Sequence, residues 1–370
     1  MNVFCRARTV LLCLSGISLA AGAQQPTSSA TSAAPTTTVA QTAPIGRSDH
    51  PVMLDVLVTD RSGKPVSGLR EQDFTVLDDQ QPSPIVSFRA LNGPADNSNP
   101  ETRTEIVLIL DEVNTTYLSV SYELDEVKRF LGQNKGQLAH PVSLGFFTDK
   151  GLELQTTPAL DGNAIIAALE QHQHGLRSSS VGEGSGLYGA EDRTRLSLDA
   201  MHSLVAKERL RTARKMVIWI SPGWPLLSGA NRDLTQGQMQ SIFHSVVQLS
   251  TDLRQARITM YSIDPTRGAS AGVRTTFYEN FTKGLTDPKH AEVGDLGLAV
   301  LATQSGGRAI FGNNSVTSSL ERCLEDLSAY YEVSIEAPAA DHADAFHSLG
   351  VKLAEPGLAA RTWDGYYAQP

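Results

Sequence analysis

Four short runs constrain the fold of this chain more than any other feature: EIVLILD (105–111), VSLGFFTD (142–149), KMVIWIS (215–221) and ITMYSID (258–264). Each is apolar at odd and even positions alike. Such a run has to be covered on both faces, as the strands of a parallel sheet are. Helical spacing fills the gaps between them: Val120, Leu124, Val127 and Leu131; then GNAIIAALEQ and RTRLSLDAMHSLVAKERL; then Met239, Ile242, Phe243, Val246 and Leu253. VGDLGLAVLATQSGG predicts a helix stopped by a Gly pair, RAIF a further strand, and Val316, Leu320, Cys323, Leu324 and Leu327 a last helix. GLELQTT follows a tight turn at Lys150-Gly151 and reads as an antiparallel partner of the second run. The alternation over 104–336 predicts an α/β domain, doubly wound, with a mostly parallel central sheet and helices on both faces.

The flanks are patterned differently. VMLDVLVTD (52–60) and DFTVLDDQQPSPIVSFRAL (73–91) give three or four short strands, a small β unit over 51–94 that is marginal alone. The polar stretch 92–103 closes it as a linker. The tail, 337–370, returns to β patterning, so the two ends are expected to pair into one small sandwich-like unit. Ahead of both, Arg6 and Arg8 precede an apolar core over 9–20, and Ala21-Gly22-Ala23 fits a small-x-small cleavage site. Residues 1–23 therefore read as a signal peptide, with an uncleaved anchor as the alternative. The Ser/Thr/Ala/Pro stretch 24–50 has too little apolar surface to offset its ordering entropy and reads as a disordered linker.

Those ends set the expected environment: export to the periplasm or the exterior, with no transmembrane segment once the signal is removed. Cys5 and Cys13 lie in the signal, leaving only Cys323, on an apolar helix face. A large core rather than disulfides must then hold the fold. A net charge of −9 argues against wholesale nucleic-acid binding.

This order of elements, with Asp111 closing the first central strand, resembles the von Willebrand factor A (VWA) domain. Four segments are similar to a narrower group, the exported VWA-like proteins common in acidobacteria: VLVTDRSGKPVSGLREQDFTVLDDQ (56–80), LILDEVNT (108–115), LATQSGGRAIFGNNSVTSSLERCLEDLSAYY (301–331) and RTWDGYYAQP (361–370). Their shared order carries the resemblance, which extends from about residue 52 to the end.

The resemblance implies a binding or adhesion module with a Mg²⁺ site of known pattern: Asp-x-Ser-x-Ser on the first loop, Thr on the second, Asp on the third. Asp111 matches. Val113 and Thr115 occupy the two Ser positions, with Asn114 between them, and Thr194 stands for the second-loop Thr. In WISPGWP, Pro222 stands where the second Asp would be, beside Ser221. One charged ligand remains where the pattern has two, and Mg²⁺ dehydrates reluctantly. The expectation is no cofactor, or weak Mg²⁺ on Asp111, Thr115 and Thr194. Asp111 is then expected to cap the next helix or bond loop amides, with Glu112 facing away.

The residues expected to bind a partner, a protein or a cell-surface ligand, are Asp111, Asn114, Thr115, Ser221 and Trp224. Trp224 reads either as an exposed anchor at the sheet rim or as an apolar plug over the lost metal site. The Gly/Ser loop 175–190 flanks the same face. His172 and His174, two residues apart, point to different helix faces and read as a solvated helix end. No catalytic residue is assigned. There is no G-x-S-x-G, no phosphate loop and no zinc-spaced His/Cys set. A secreted hydrolase built on the Ser221/Asp111 region would need a base beside Ser221. A structural role in envelope assembly is a third reading.

Overall fold

A computed structural model describes residues 51–92, 103–172, 186–225, 233–266, 276–313, 315–338 and 342–368. The expected signal, the linker 24–50 and most of the stretch 92–103 lie outside them. The chain opens with β1 (Val52–Thr59), β2 (Phe74–Asp78), β3 (Gln81–Ser83) and β4 (Ile85–Leu91). The central domain follows as β5 (Thr104–Asp111), α1 (Tyr117–Leu131), β6 (Gln137–Thr148), β7 (Gly151–Leu154), β8 (Ala159–Asp161) and α2 (Gly162–Gln171). It continues through α3 (Gly186–Glu208), β9 (Arg214–Ile220), α4 (Gln236–Gln255), β10 (Ile258–Ile263), α5 (Leu298–Gln304), β11 (Ala309–Ile310) and α6 (Val316–Glu325). The tail supplies β12 (Tyr330–Ile335), β13 (Phe346–Leu353), β14 (Ala359–Arg361) and β15 (Gly365–Tyr367).

The central sheet runs β11-β10-β9-β5-β6-β7, parallel throughout except for β7 and the off-path β8. Its strands bury both faces because their parities divide between two cores. Val107, Ile109, Val217 and Trp219 join one cluster with α3, α4 and α5. Ile106, Leu108, Leu110, Met216, Ile218 and Ile220 join the other with α1, α2 and α6. Helix starts are set by side-chain caps: Thr116 accepts from Ser119 N, Asp161 from Asn163 N, Thr235 from Gln238 N and Ser315 from Ser318 N.

Two local expectations need correction. The helix predicted over VGDLGLAVLATQSGG is broken: a 3-10 turn, Val293–Leu296, precedes extended Gly297, and the α-helix begins only at Leu298. Asp295 accepts from Glu292 N at 2.8 Å, which favours the tight turn over a continuous helix. The predicted Gly stop is present, and Gly307 is needed for space as well, since a Cβ there would lie 1.7 Å from Met260 O. α3 starts at Gly186, so part of the expected Gly/Ser loop is helical, and residues 173–185 lie outside the described ones.

The ends of the chain form two antiparallel four-stranded sheets, β14-β1-β12-β4 and β15-β13-β2-β3. Each mixes N-terminal with C-terminal strands. β12, placed by its sequence within 104–336, sits between β1 and β4 instead, pairing Val52 with Ile335 and Tyr330 with Leu91. Phe74 of one sheet packs on Phe88 and Tyr331 of the other, with ring centroids 5.3 and 4.9 Å apart. Residues of both small sheets belong to the same core cluster as α3, α4 and α5, so the β unit shares the central domain's core.

A seam of ions fastens it there. Arg214 on β9 donates to Asp55 on β1 at 2.7 Å and lies 4.3 Å over the Tyr330 ring. Arg257 pairs with Glu332 on β12, which also accepts from Arg89 Nε at 2.9 Å. Asp326 accepts from Arg308 at 2.9 and 2.8 Å, from Tyr261 Oη at 2.9 Å, and from Arg361 of β14. Burial opposes the Asp326 charge, but Arg308 and Arg361 outweigh it and hold this carboxyl below its usual range.

Candidate functional site

Connectivity places the site. From β5 the chain crosses to β6 on one side and later returns to β9 on the other, so the order reverses at β5. In open α/β sheets ligands bind at the carboxyl ends of the strands where that reversal occurs. Asp111 ends β5 and Ser221 follows β9.

Asp111 is wholly buried and saturated with donors. Its Oδ1 accepts from the backbone N–H groups of Val113 and Asn114 at 2.9 and 2.8 Å. Its Oδ2 accepts from Asn114 Nδ2 at 2.9 Å, Ser221 Oγ at 2.8 Å and Trp219 Nε1 at 3.3 Å. Ser221 Oγ accepts in turn from Gly223 N at 3.1 Å, which leaves its own proton for Asp111. Backbone amides and an indole can only donate, so both carboxylate oxygens act as acceptors. Burial pushes the Asp111 carboxyl above its ordinary value, and the bonds from Asn114, Ser221 and Val113 pull it back.

The structure thus brings Asp111, Asn114 and Ser221 together and turns the other expected ligands elsewhere. Thr115 donates to Glu123 on α1 at 3.2 Å. Thr194 donates to Ala190 O within its own helix at 2.9 Å. From α3 the side chain that reaches the network is Ser197, which accepts from Asn114 Nδ2 at 3.1 Å and donates to Arg193 O at 2.8 Å. Ser197 and Trp219 were both missing from the sequence-based set. Ser197 was detectable as a polar residue in helical register with the buried Met201 and Leu204.

This donor set does not fit a divalent cation. Asp111 is the single charged group, both its oxygens are engaged, and buried Val113 has nothing to offer a metal. Asn114 Oδ1 is buried without a hydrogen-bond partner. Glu112 turns away from Asp111, and its carboxylate lies 3.3 Å from His172 Nε2. His172 is therefore no solvated helix end: it stacks on Phe146 with centroids 3.6 Å apart. His174 lies outside the described residues.

Trp224 is only 6% exposed and meets Trp219 edge to face, with centroids 5.7 Å apart. The plug describes it better than the exposed anchor. It lines a small, half-open pocket of about 40 Å³ with Phe277, Tyr278, Leu298 and Phe311, and its buried Nε1 has no hydrogen-bond partner. Asp295, on the 3-10 turn beside this pocket, is pushed up to about 6 by burial.

Numbered by chain order within the central sheet and setting β8 aside, the strands run 3-2-1-4-5-6, with strand 3 antiparallel at the edge. The fold is VWA-like. No protein-family model matches the chain, and no curated relative matches it. Among solved structures it is similar to human COPII-coat protein Sec24c, at 9% identity over 75% of this chain and 46% of that one, TM-score 0.35. It is similar to the SpRpn10 VWA domain, at 10% identity over 61% of this chain and 93% of that one, TM-score 0.29. It is also similar to the open form of pilus adhesin SpaC from Lactobacillus rhamnosus GG, at 8% identity over 82% of this chain and 49% of that one, TM-score 0.31. The chain spans about half the length of the Sec24c and SpaC chains. At these TM-scores the likenesses carry no argument about function, and the fold rests on the strand order.

Proposed function

We propose that this chain is an exported VWA-like binding module that docks a protein or surface ligand through the loops at the carboxyl edge of its central sheet, without a bridging cation. One observation carries the reading: the carboxylate at the strand-order reversal is saturated by five donors of the protein itself. In a metal-dependent module the ion's vacant position captures the partner's carboxylate. Here that position is closed, and the adjoining aromatic pocket, though only about 40 Å³, offers an apolar surface on which a small apolar side chain of a partner can rest. Exposure of the pocket walls Phe277, Tyr278 and Phe311 is intermediate, within reach of a partner.

Catalysis at Ser221 is disfavoured on the same grounds. The residue is wholly buried, and among the described residues its hydrogen-bond partners are Asp111 and Gly223, neither an imidazole nor a glutamate. Partners other than nucleic acid fit the net charge of −9. Among the described residues, no helix is long and apolar enough to cross a membrane.

Capture from envelope extracts tests the surface, with bound protein identified and its affinity then measured on the purified pair. Tyr278→Ala and Trp224→Ala should each weaken the purified interaction, Tyr278→Ala without a change in fold by circular dichroism. Chelator or added Mg²⁺ should leave it unchanged. Binding that disappears with chelator and returns with Mg²⁺ would refute the metal-free mechanism. Undiminished affinity in both variants would move the interface elsewhere.

A further inference from the structure

A second cluster of ligand-type side chains lies far along the chain from Asp111, on the small β unit. β2 ends at Asp78, Asp79 begins the turn into β3, and β13 runs antiparallel to β2 with Leu349 opposite Asp78. That register carries His347 to the two carboxylates. Its Nδ1 lies 2.9 Å from Asp78 Oδ1 and 3.2 Å from Asp79 Oδ2. One ligand atom from each of the three residues falls within 4.8 Å of the others.

Each carboxylate is braced through its other oxygen. Tyr366 Oη donates to Asp78 Oδ2 at 2.6 Å. Ser348 donates to Asp79 Oδ1 from its N at 2.8 Å and its Oγ at 3.0 Å. Tyr366 also stacks on the imidazole, with centroids 5.0 Å apart and planes at 14°. The remaining oxygens, Asp78 Oδ1 and Asp79 Oδ2, both lie against Nδ1 and are held by outer partners, as the ligands of metal sites are. Ligands about 2.0–2.1 Å from a tetrahedral zinc ion sit roughly 3.3 Å from each other, close to the 2.9 and 3.2 Å between the imidazole and the two carboxylates. An ion pair explains His347 against one carboxylate. With two, the cluster stays net negative even when the imidazole is protonated, although Asp78 and His347 are both buried. A dication resolves that imbalance.

We propose that Asp78, Asp79 and His347 bind a divalent transition cation of the zinc class. Each carboxylate gives one oxygen and the imidazole gives deprotonated Nδ1. Water completes the shell from the side of Asp79, whose side chain is 53% exposed. A nitrogen ligand selects zinc-like ions over Mg²⁺ and Ca²⁺, which prefer all-oxygen shells. Bound there, the ion fastens the β2–β3 turn to β13.

Zn²⁺ titrated calorimetrically into the chelator-treated full chain tests this, with thermal unfolding measured in parallel. One Zn²⁺ should bind per chain and raise Tm, while Mg²⁺ should not compete. Asp79→Asn keeps the turn, because Asn tolerates the left-handed backbone there (φ 47°), and should weaken binding by about tenfold or more. His347→Gln should abolish it. Asp111→Asn should leave it unchanged, which separates this site from the carboxyl edge and its proposed docking role. Absence of Zn²⁺ binding in the wild type, or equal binding in the wild type, Asp79→Asn and His347→Gln, overturns the proposal.

Discussion

Buried acids at the carboxyl edge and at the seam between sheets are accommodated in opposite ways. Asp111 and Asp295 at the edge meet only neutral donors: amides, a hydroxyl and an indole around Asp111, and one backbone N–H on Asp295. Burial raises both. Asp326 at the seam meets two arginines, which overcome the same burial and lower it. Dipoles fix an acid's orientation without cancelling its charge, whereas arginines cancel the charge and tie distant strands together. The edge is built to hold a shape, and the seam to hold two sheets against each other.

Removing the seam acid should cost most. Asp326→Ala leaves Arg308, Arg361 and Tyr261 Oη without their shared acceptor and should destabilise the fold by about 4 kcal/mol in denaturant unfolding. Asp111→Leu strands the amides of Val113 and Asn114 with the Trp219 indole and should cost about 3 kcal/mol. If the Asp111 loss equals or exceeds the Asp326 loss, the contrast between edge and seam fails.

The pH dependence gives the sharpest comparison, because its sign differs between the regions. Asp295 has a folded pKa of about 6 against an ordinary 3.8. Its stabilising contribution is full below pH 3.8 and lost as pH rises through about 6, an effect of at most about 3 kcal/mol. Asp326, held below 3.8, contributes fully above that pH and loses its contribution as acid is added. Unfolding measured from pH 3 to 8 should show a decline between pH 4 and 6 that is shallower in Asp295→Asn than in the wild type, the remainder belonging to Asp111 and Glu208, whose carboxyls burial also raises. A decline of equal size in both proteins removes Asp295 as a source.

The central sheet was legible in the sequence because its strands are apolar on both parities, a pattern nothing but two-sided burial explains. Asp111 and Ser221 were legible for the same reason: a buried strand that ends in a polar residue has to deliver it somewhere. Ser197 belongs to another element, 83 residues from the Asn114 it meets, and no local pattern states that contact. Glu112 and His172 were hidden likewise, each unremarkable until the fold joined them. β12 fell inside the bounds drawn for the central domain although it pairs with β1 and β4, because period shows that a strand is half or fully buried but not what lies beside it. The broken helix before β11 followed from one side chain, Asp295, competing for a backbone amide that helical periodicity ignores.

The pairing of β1 with β12 has a consequence for synthesis. Strands β1 and β4 leave the ribosome long before β12, the neighbour that lies between them, and stay without it until residue 335 has been made. A premature stop in the last helix would yield no smaller, serviceable version of this molecule, only a nascent chain with bare strand edges, ready to stick to its own kind.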